Sequence, residues 1–308
     1  MTRWPPPPTL SASFFKGHGL GNDYLVFAEG RDWTATPGNV RRVCDPHRGL
    51  GSDGIVVISA HTPGEHTSGA ERSPIRARMF NPDGGEFERS GNGLRILAAY
   101  LMQEGDAADT FDAEVGGSRV RLVGHGRAGP AYDVSVDMGC SEVGPAAVGL
   151  DPRALDGEGR LPGPGGEWLR VVPVSVGNPH LVVLCEDEAQ LLEDRLRVIG
   201  PYLSEHPAIA HGTNVQLALH EHGHECRALV WERGVGRTAA SGTSACAVAV
   251  AMVSTERIAP GEVQVRMPGG TLRVVVDDGL EVTLRGPVEE IAHGRLSERL
   301  LSTFEPGS

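Results

Sequence analysis

Met79-Phe-Asn-Pro-Asp-Gly-Gly85, followed by Arg89-Ser-Gly-Asn-Gly-Leu-Arg95, is the stretch that decides how this chain reads, because it recurs. At a constant offset of 151 positions stand Val230-Trp-Glu-Arg-Gly-Val-Gly236 and Ala240-Ser-Gly-Thr-Ser-Ala-Cys246. Ser90 therefore pairs with Ser241, Gly91 with Gly242 and Asn92 with Thr243. Upstream of each copy lies a second matched pair, Gly21-Asn-Asp-Tyr-Leu-Val26 and Gly177-Asn-Pro-His-Leu-Val182. One such match is within reach of chance. Two matches in the same order point to a duplication.

Each half then reads alike. A short apolar strand carries the first motif (24–27 and 181–185). A second follows (54–59 and 215–219), and a third leads into the Gly-rich turn (75–80 and 227–231). A helix comes after the turn. Over 92–103, Leu94, Leu97, Ala98 and Leu101 recur at helical spacing. Over 243–254 nearly every residue is apolar and small, which predicts a helix buried on all sides. Segments 134–138, 263–267, 272–276 and 280–284 alternate apolar and polar, as half-buried strands do. The polar, Gly/Pro-rich runs 60–73 and 151–166 read as exposed insertions. The fold class is α/β: two pseudo-symmetric domains from an internal duplication, each a mixed sheet wrapped around a central helix.

Composition bounds the function. A chain of 308 residues with 40% apolar content has the length of about two domains. Its net charge of −12 and 5% aromatic content argue against nucleic acid as a partner, since an acidic surface repels phosphates and few rings are there to stack on bases. No apolar run reaches about 18 residues, so no membrane partner is expected. Residues 1–8 read MTRWPPPP, which lacks the apolar core of a signal peptide and reads as a disordered, polyproline-like tail. Five widely spaced cysteines fit reduced thiols and a cytoplasmic location.

The repeated turns carry the chemistry. Ser90 and Ser241 each stand just before a helix, where serine is a good N-cap and contributes about 1 kcal/mol; Asn92 and Thr243 would cap equally well. Two helix N-termini converging across a cleft would offer free N–H groups and positive dipole ends to a small carboxylic acid. Its α-carbon would then be flanked on both faces, as a two-base proton transfer requires. Asn22, Asn81, Asn178 and Asn214 stand in turns beside strand ends, as turn formers or as neutral hydrogen-bond partners for a ligand. Glu232-Arg233 is either a surface ion pair or a binding pair for an ammonium and a carboxylate. His180 is either a satisfied buried histidine or a group that tunes a neighbouring base. His220, His222, His224 and Cys226 alternate in a metal-like way, but as a row they do not close on one ion, so no metal is assigned. Gly234-Val-Gly-Arg-Thr-Ala239 loosely matches a dinucleotide fingerprint without the acidic strand end that should follow, so no NAD is assigned.

The ordered motifs resemble those of the diaminopimelate epimerase family over residues 15 to about 300. They are Lys16-Gly-His-Gly-Leu-Gly-Asn-Asp23, Arg48-Gly-Leu-Gly-Ser-Asp-Gly54, Phe80-Asn-Pro-Asp-Gly84, Ser90-Gly-Asn-Gly93, Val176-Gly-Asn-Pro-His180, Gly212-Thr-Asn-Val215, Glu232-Arg-Gly-Val-Gly236, Ser241-Gly-Thr-Ser-Ala-Cys246 and Pro268-Gly-Gly270. The resemblance implies a cofactor-independent epimerase of lysine and cell-wall synthesis that interconverts LL- and meso-diaminopimelate, and a homodimer. It implies domains over 12–133, with 285–308 returning to it, and over 134–284. It makes Ser90 and Ser241 the catalytic positions, and Asn22, Asn81, Asn178, Asn214, Glu232 and Arg233 binders of a small diamino-diacid. Gly91-Asn92 and Gly242-Thr243 become the helix ends that hold the reacting carboxylate. His180 and Glu232 become modulators of the catalytic pair.

The departure from the family is at its centre: the family carries cysteine where this chain has Ser90 and Ser241. A hydroxyl is a far weaker acid than a thiol and needs an adjacent base; no residue in either motif is evidently placed as one. Cys246 lies too far along its helix to substitute, and Arg237 stands where the family usually has Glu. Three readings stay open: an engineered double Cys→Ser form of an epimerase, a divergent isomerase or dehydratase that uses hydroxyls, and a catalytically silent amino-acid-binding homologue.

Overall fold

The computed structural model describes residues 5–59, 74–87, 89–104 and 109–306. The chain divides into two compact units, residues 1–136 with 286–308, and residues 137–285.

Unit one is built from the hairpin Thr9–Gly19 and Asn22–Glu29, closed by Leu20 and Gly21 at φ 56° and 88°. Two successive positive φ values match the right-handed twist of the flanking strands. Asn22–Glu29 runs parallel to Ile55–Ile58, which is antiparallel to Ile75–Phe80. Ile75–Phe80 is parallel to Thr110–Val115, and that strand is antiparallel to Ser118–Ala128. Unit two repeats this sequence of pairings. Trp168–Ser175 is antiparallel to Pro179–Cys185, which is parallel to Asn214–His222. Asn214–His222 is antiparallel to Glu225–Glu232, which is parallel to Gly261–Met267, which is antiparallel to Gly270–Val276. Register matches the two halves strand by strand, with the 151-residue offset holding from Phe80 and Trp231 onward. Leu25 pairs Ile55 and Ile55 pairs Phe80; Leu181 pairs Val215 and Val215 pairs Trp231.

Each unit holds one central helix. Gly91–Gln103 buries every residue from Gly91 to Ala99, and Leu101. Gly242–Ser254 is buried throughout except at Thr243 and Ser254. A helix apolar on all faces satisfies itself only inside a sheet-lined core, as the composition required.

Three expectations need correction or restriction. Segment 151–166 is not a simple exposed insertion: Arg160–Pro162 pairs with Trp168–Ser175 and buries Leu161 completely in the unit-two core. Ala154 and Leu155 pack against the same core, so a few apolar residues among glycines and prolines anchor the segment. The N-terminal prolines are not a free tail from Pro5 onward, because Arg78 donates to the carbonyls of Pro5 and Pro6, and Ala35 N–H to Pro8. Residues 1–4 and the run 60–73 lie outside the described residues.

Candidate active site

Ser241 caps the second central helix in extended backbone (φ −149°, ψ 131°). Its carbonyl accepts from Ala245 N–H at 3.0 Å and its Oγ from Ser244 N–H at 3.5 Å. The Gly242 and Thr243 N–H groups come before any intrahelical partner is available. The Ser241 hydroxyl donates to Glu232 Oε2 at 3.5 Å, a loose contact. The carboxylate lies outside both serine motifs, at the position expected to modulate the catalytic pair. The carboxylate comes from the strand end nine residues upstream, brought back by the turn at Gly234 and the short strand Gly236–Thr238.

The other unit-two candidates form one connected set. Parallel pairing places His180 beside Asn214. His180 is completely buried, with Nε2 2.9 Å from Asn178 Oδ1 and Nδ1 3.1 Å from the Gln216 amide nitrogen. Burial pushes its pKa down to about 3, and the nearby Arg233 charge adds to this. His180 is therefore neutral at any working pH and acts on neighbours by hydrogen bonding, not by charge. Asn214 is committed internally: Oδ1 accepts from Arg233 N–H at 2.9 Å and Nδ2 donates to the Pro179 carbonyl at 3.0 Å. Arg233 is exposed and anchored through Nη1 alone, to the carbonyls of His211 (2.6 Å) and Gly212 (3.4 Å). The rest of its fork of donors suits a ligand carboxylate.

In unit one, Ser90 caps the first central helix (φ −128°, ψ 122°), with Oγ accepting from Gly93 N–H at 3.1 Å and its carbonyl from Leu94 N–H at 2.9 Å. Gly91 and Asn92 hold the positions whose N–H groups lack intrahelical partners. The Asn92 side chain is committed inside the unit, which leaves its part in the expected helix end to the backbone. Nδ2 donates to the backbone carbonyl and Oδ1 of Asn22 at 2.7 and 2.9 Å, and Oδ1 accepts from Arg95 at 2.8 Å. What Asn92 has to offer is its backbone. Asn22 in turn donates to Asp53 Oδ2 at 2.8 Å. Glycine at position 19 is a packing requirement, because a Cβ there would lie 2.1 Å from Asn92 Oδ1. Asn81 is exposed in a turn closed by backbone bonds with Gly84 and Gly85.

Several braces escaped sequence reasoning. Arg95, 1% exposed, donates to the Pro287 carbonyl at 3.1 Å. Lys16, the single lysine, donates to the carbonyls of Leu50 and Gly51 and pairs with Asp23 at 3.1 Å. Burial raises the Asp23 pKa, and the Lys16 contact only partly offsets it. Lys16, Asp53, Arg95 and Ser244 stood in quoted motifs but nothing in those motifs marked them as braces, and Gln216 lay just outside one.

The remaining motifs resolve into ordinary structure. His220 and His222 end one strand, His224 lies in the hairpin turn and Cys226 on the next strand. Among the described residues no group of three or more His, Cys, Asp or Glu is arranged around a common point. Gly234–Gly236 turns into an antiparallel strand, not into a phosphate-binding helix end. Burial pushes the thiols of Cys44 and Cys226 up to about 12 and that of Cys185 to about 11, which keeps these three from ionising readily.

A model of the family described as "Diaminopimelate epimerase" matches residues 14–143 and 172–290. The chain belongs to the diaminopimelate epimerase family. It is 38% identical to the diaminopimelate epimerase of Desulforudis audaxviator over 290 residues, covering 92% of this chain and 98% of the relative. It is 35% identical to that of Geobacillus kaustophilus over 299 residues, covering 92% and 96%. Two solved structures share its fold at low identity. A hydroxyproline epimerase from Agrobacterium vitis, with bound trans-4-hydroxy-L-proline, has a TM-score of 0.64 at 16% identity over 93% of this chain and 92% of that one. A phenazine biosynthesis protein of the PhzF family from Bacillus anthracis has 0.62 at 13% over 92% and 98%. The chain is thus an isomerase of this family, and no helix among its described residues is long and apolar enough to cross a membrane.

Proposed function

We propose that the chain binds diaminopimelate, and that its epimerisation of the LL- and meso-forms is slowed by the hydroxyls at positions 90 and 241. The observation that carries this reading is that both serines cap a buried central helix at matched register, each ahead of two N–H groups suited to a carboxylate. Arg233 supplies donors to a carboxylate, Glu232 an acceptor for an ammonium, and Asn178 and Asn81 amides at strand ends. Epimerisation needs one group to take the α-proton and another to return one. Two hydroxyls serve that exchange poorly at neutral pH.

A second reading, a hydroxyl-based isomerase or dehydratase, is favoured by one contact. The Glu232 carboxylate 3.5 Å from Ser241 Oγ is a proton acceptor that makes the hydroxyl a usable shuttle. A cytoplasmic homodimer without cofactor, acting in lysine and cell-wall precursor synthesis, completes the proposal; light scattering checks the oligomer.

The test measures binding and chemistry apart. Calorimetry with LL- and meso-diaminopimelate should show binding, and Arg233→Ala should remove most of it, since a charge-assisted pair contributes about 1.5–3 kcal/mol. Equal binding by both proteins would sink the assignment. α-Proton exchange in deuterated water should be slow in the native chain. Rapid exchange there would establish the second reading.

A further inference from the structure

Three completely buried polar side chains, His180, Gln216 and Ser244, share hydrogen bonds beside the start of the second central helix. The Gln216 amide nitrogen lies 3.1 Å from His180 Nδ1 and 3.0 Å from Ser244 Oγ, and Gln216 Oε1 has no partner. At the other end, His180 Nε2 lies 2.9 Å from Asn178 Oδ1. Two polarities fit these distances. In one, the Gln216 amide gives one hydrogen to His180 and one to Ser244, and a single buried carbonyl oxygen is left over. In the other, the Gln216 carbonyl accepts from both, and a buried NH2 with two donors is left over. Stranded donors are the rarer and costlier outcome, so the first polarity is favoured. It makes His180 a donor at Nε2. Asn178, half-buried, then accepts through Oδ1 and keeps its own N–H groups for something else.

The fold does not require this string. Register matches His180, Gln216 and Ser244 to Tyr24, Val56 and Gly93 in unit one, where no such string exists. Buried polar groups are expensive, and this one carries its polarity to a residue at a strand end.

We propose that Gln216, held by Ser244, is a positioning residue: it fixes His180 as the neutral Nε2–H tautomer, and through it presents the Asn178 amide N–H to a substrate carboxylate. The tautomer is independent of the substrate; the last step rests on the proposed function above.

Long-range proton–nitrogen spectra of the full chain, labelled at histidine nitrogens and free of ligand, test the tautomer. His180, identified by the signal lost in His180→Asn, should show a protonated Nε2 and a bare Nδ1 from pH 8 to pH 5. A protonated Nδ1 overturns the proposal. Gln216→Glu then places an acceptor against Nδ1 in nearly the same volume. It should protonate Nδ1 and weaken diaminopimelate binding by about tenfold to a hundredfold, the loss of one charge-assisted hydrogen bond. If the Glu variant does not fold, Gln216→Met, of matched length, removes the amide donor without supplying an acceptor; a mixed tautomer is then expected, and an unchanged, pure Nε2–H form overturns the role of Gln216. A switched tautomer with unchanged affinity overturns the positioning role. A native chain that shows Nε2–H yet binds no diaminopimelate upholds the tautomer and fails the proposed function.

Discussion

The two central helices begin alike and rest on different interiors. Beside Ser90, Gly93 faces Val56 and Met79, whose side-chain atoms lie 3.3 and 3.4 Å from where a Cβ would stand. At the same point of the other half, Ser244 hydrogen-bonds Gln216. The polar material of the first half lies instead around Asn22, Asn92, Arg95 and Asp53, and the position matching Arg95 is the buried Cys246. Duplication kept strand order, register and the capped helix start, because these are backbone properties that any well-packed side chains satisfy. It did not keep the polar wiring. The consequence is chemical inequality: Glu232 reaches a hydroxyl in one half, and the matched residue in the other is Asn81, an amide that takes no proton at working pH.

The largest expected effect comes from raising the acidity of both matched positions together. Ser90→Cys with Ser241→Cys should raise epimerisation by about 10⁴-fold or more, since each acid–base partner contributes about 10²–10⁴. Either single variant should recover less than a tenth of that gain. The cost is a weaker cap, up to about 1 kcal/mol per helix in urea unfolding. A single variant as fast as the double would show that the halves do not act as partners.

Glu232→Gln in that thiol-restored protein probes the inequality directly. It should slow α-proton exchange by about 10²-fold or more, with Asn81→Ala affecting binding more than rate. Equal rate losses from the two would erase the distinction.

His180 adds a pH signature from one half alone. Its pKa falls from 6.5 unfolded to about 3 folded, so the unfolded chain binds the extra proton between those values. Stability held above pH 6.5 is therefore lost as pH falls, by up to about 1.4 kcal/mol per pH unit until the folded group titrates. Urea unfolding at pH 7, 6 and 5 should show this slope, and His180→Asn should flatten it.

Grafting tests the interior itself. Gly93→Ser places a hydroxyl against Val56 and should destabilise by about 1–3 kcal/mol; adding Val56→Gln should restore part of it. The smallest effect belongs to Arg237, which pairs with Glu193 at 3.0 Å on the surface. Arg237→Ala should change stability by less than about 1 kcal/mol.

Much of this was legible beforehand, and the failures share a cause. Strand 75–80 and both central helices stood out within a residue, because period, capping serine and apolar content are local. Strand Thr9–Gly19 escaped notice, because Gly17, His18 and Gly19 broke its alternation; its pairing with Asn22–Glu29 and with the distant strand Glu281–Arg295 holds it.

By itself, the sequence determined the duplication, the α/β class, the family and the positions of the two serines, since all of these follow from residue order and spacing. Tertiary structure alone decided which polar groups remain free. Asn92 is consumed by Asn22, 70 residues away, and His180 by Gln216, 36 residues away, while Glu232 meets Ser241 only after the chain turns back at Gly234. A side chain's chemistry depends on what else claims its donors and acceptors, and those claims are made across contacts that no local pattern records.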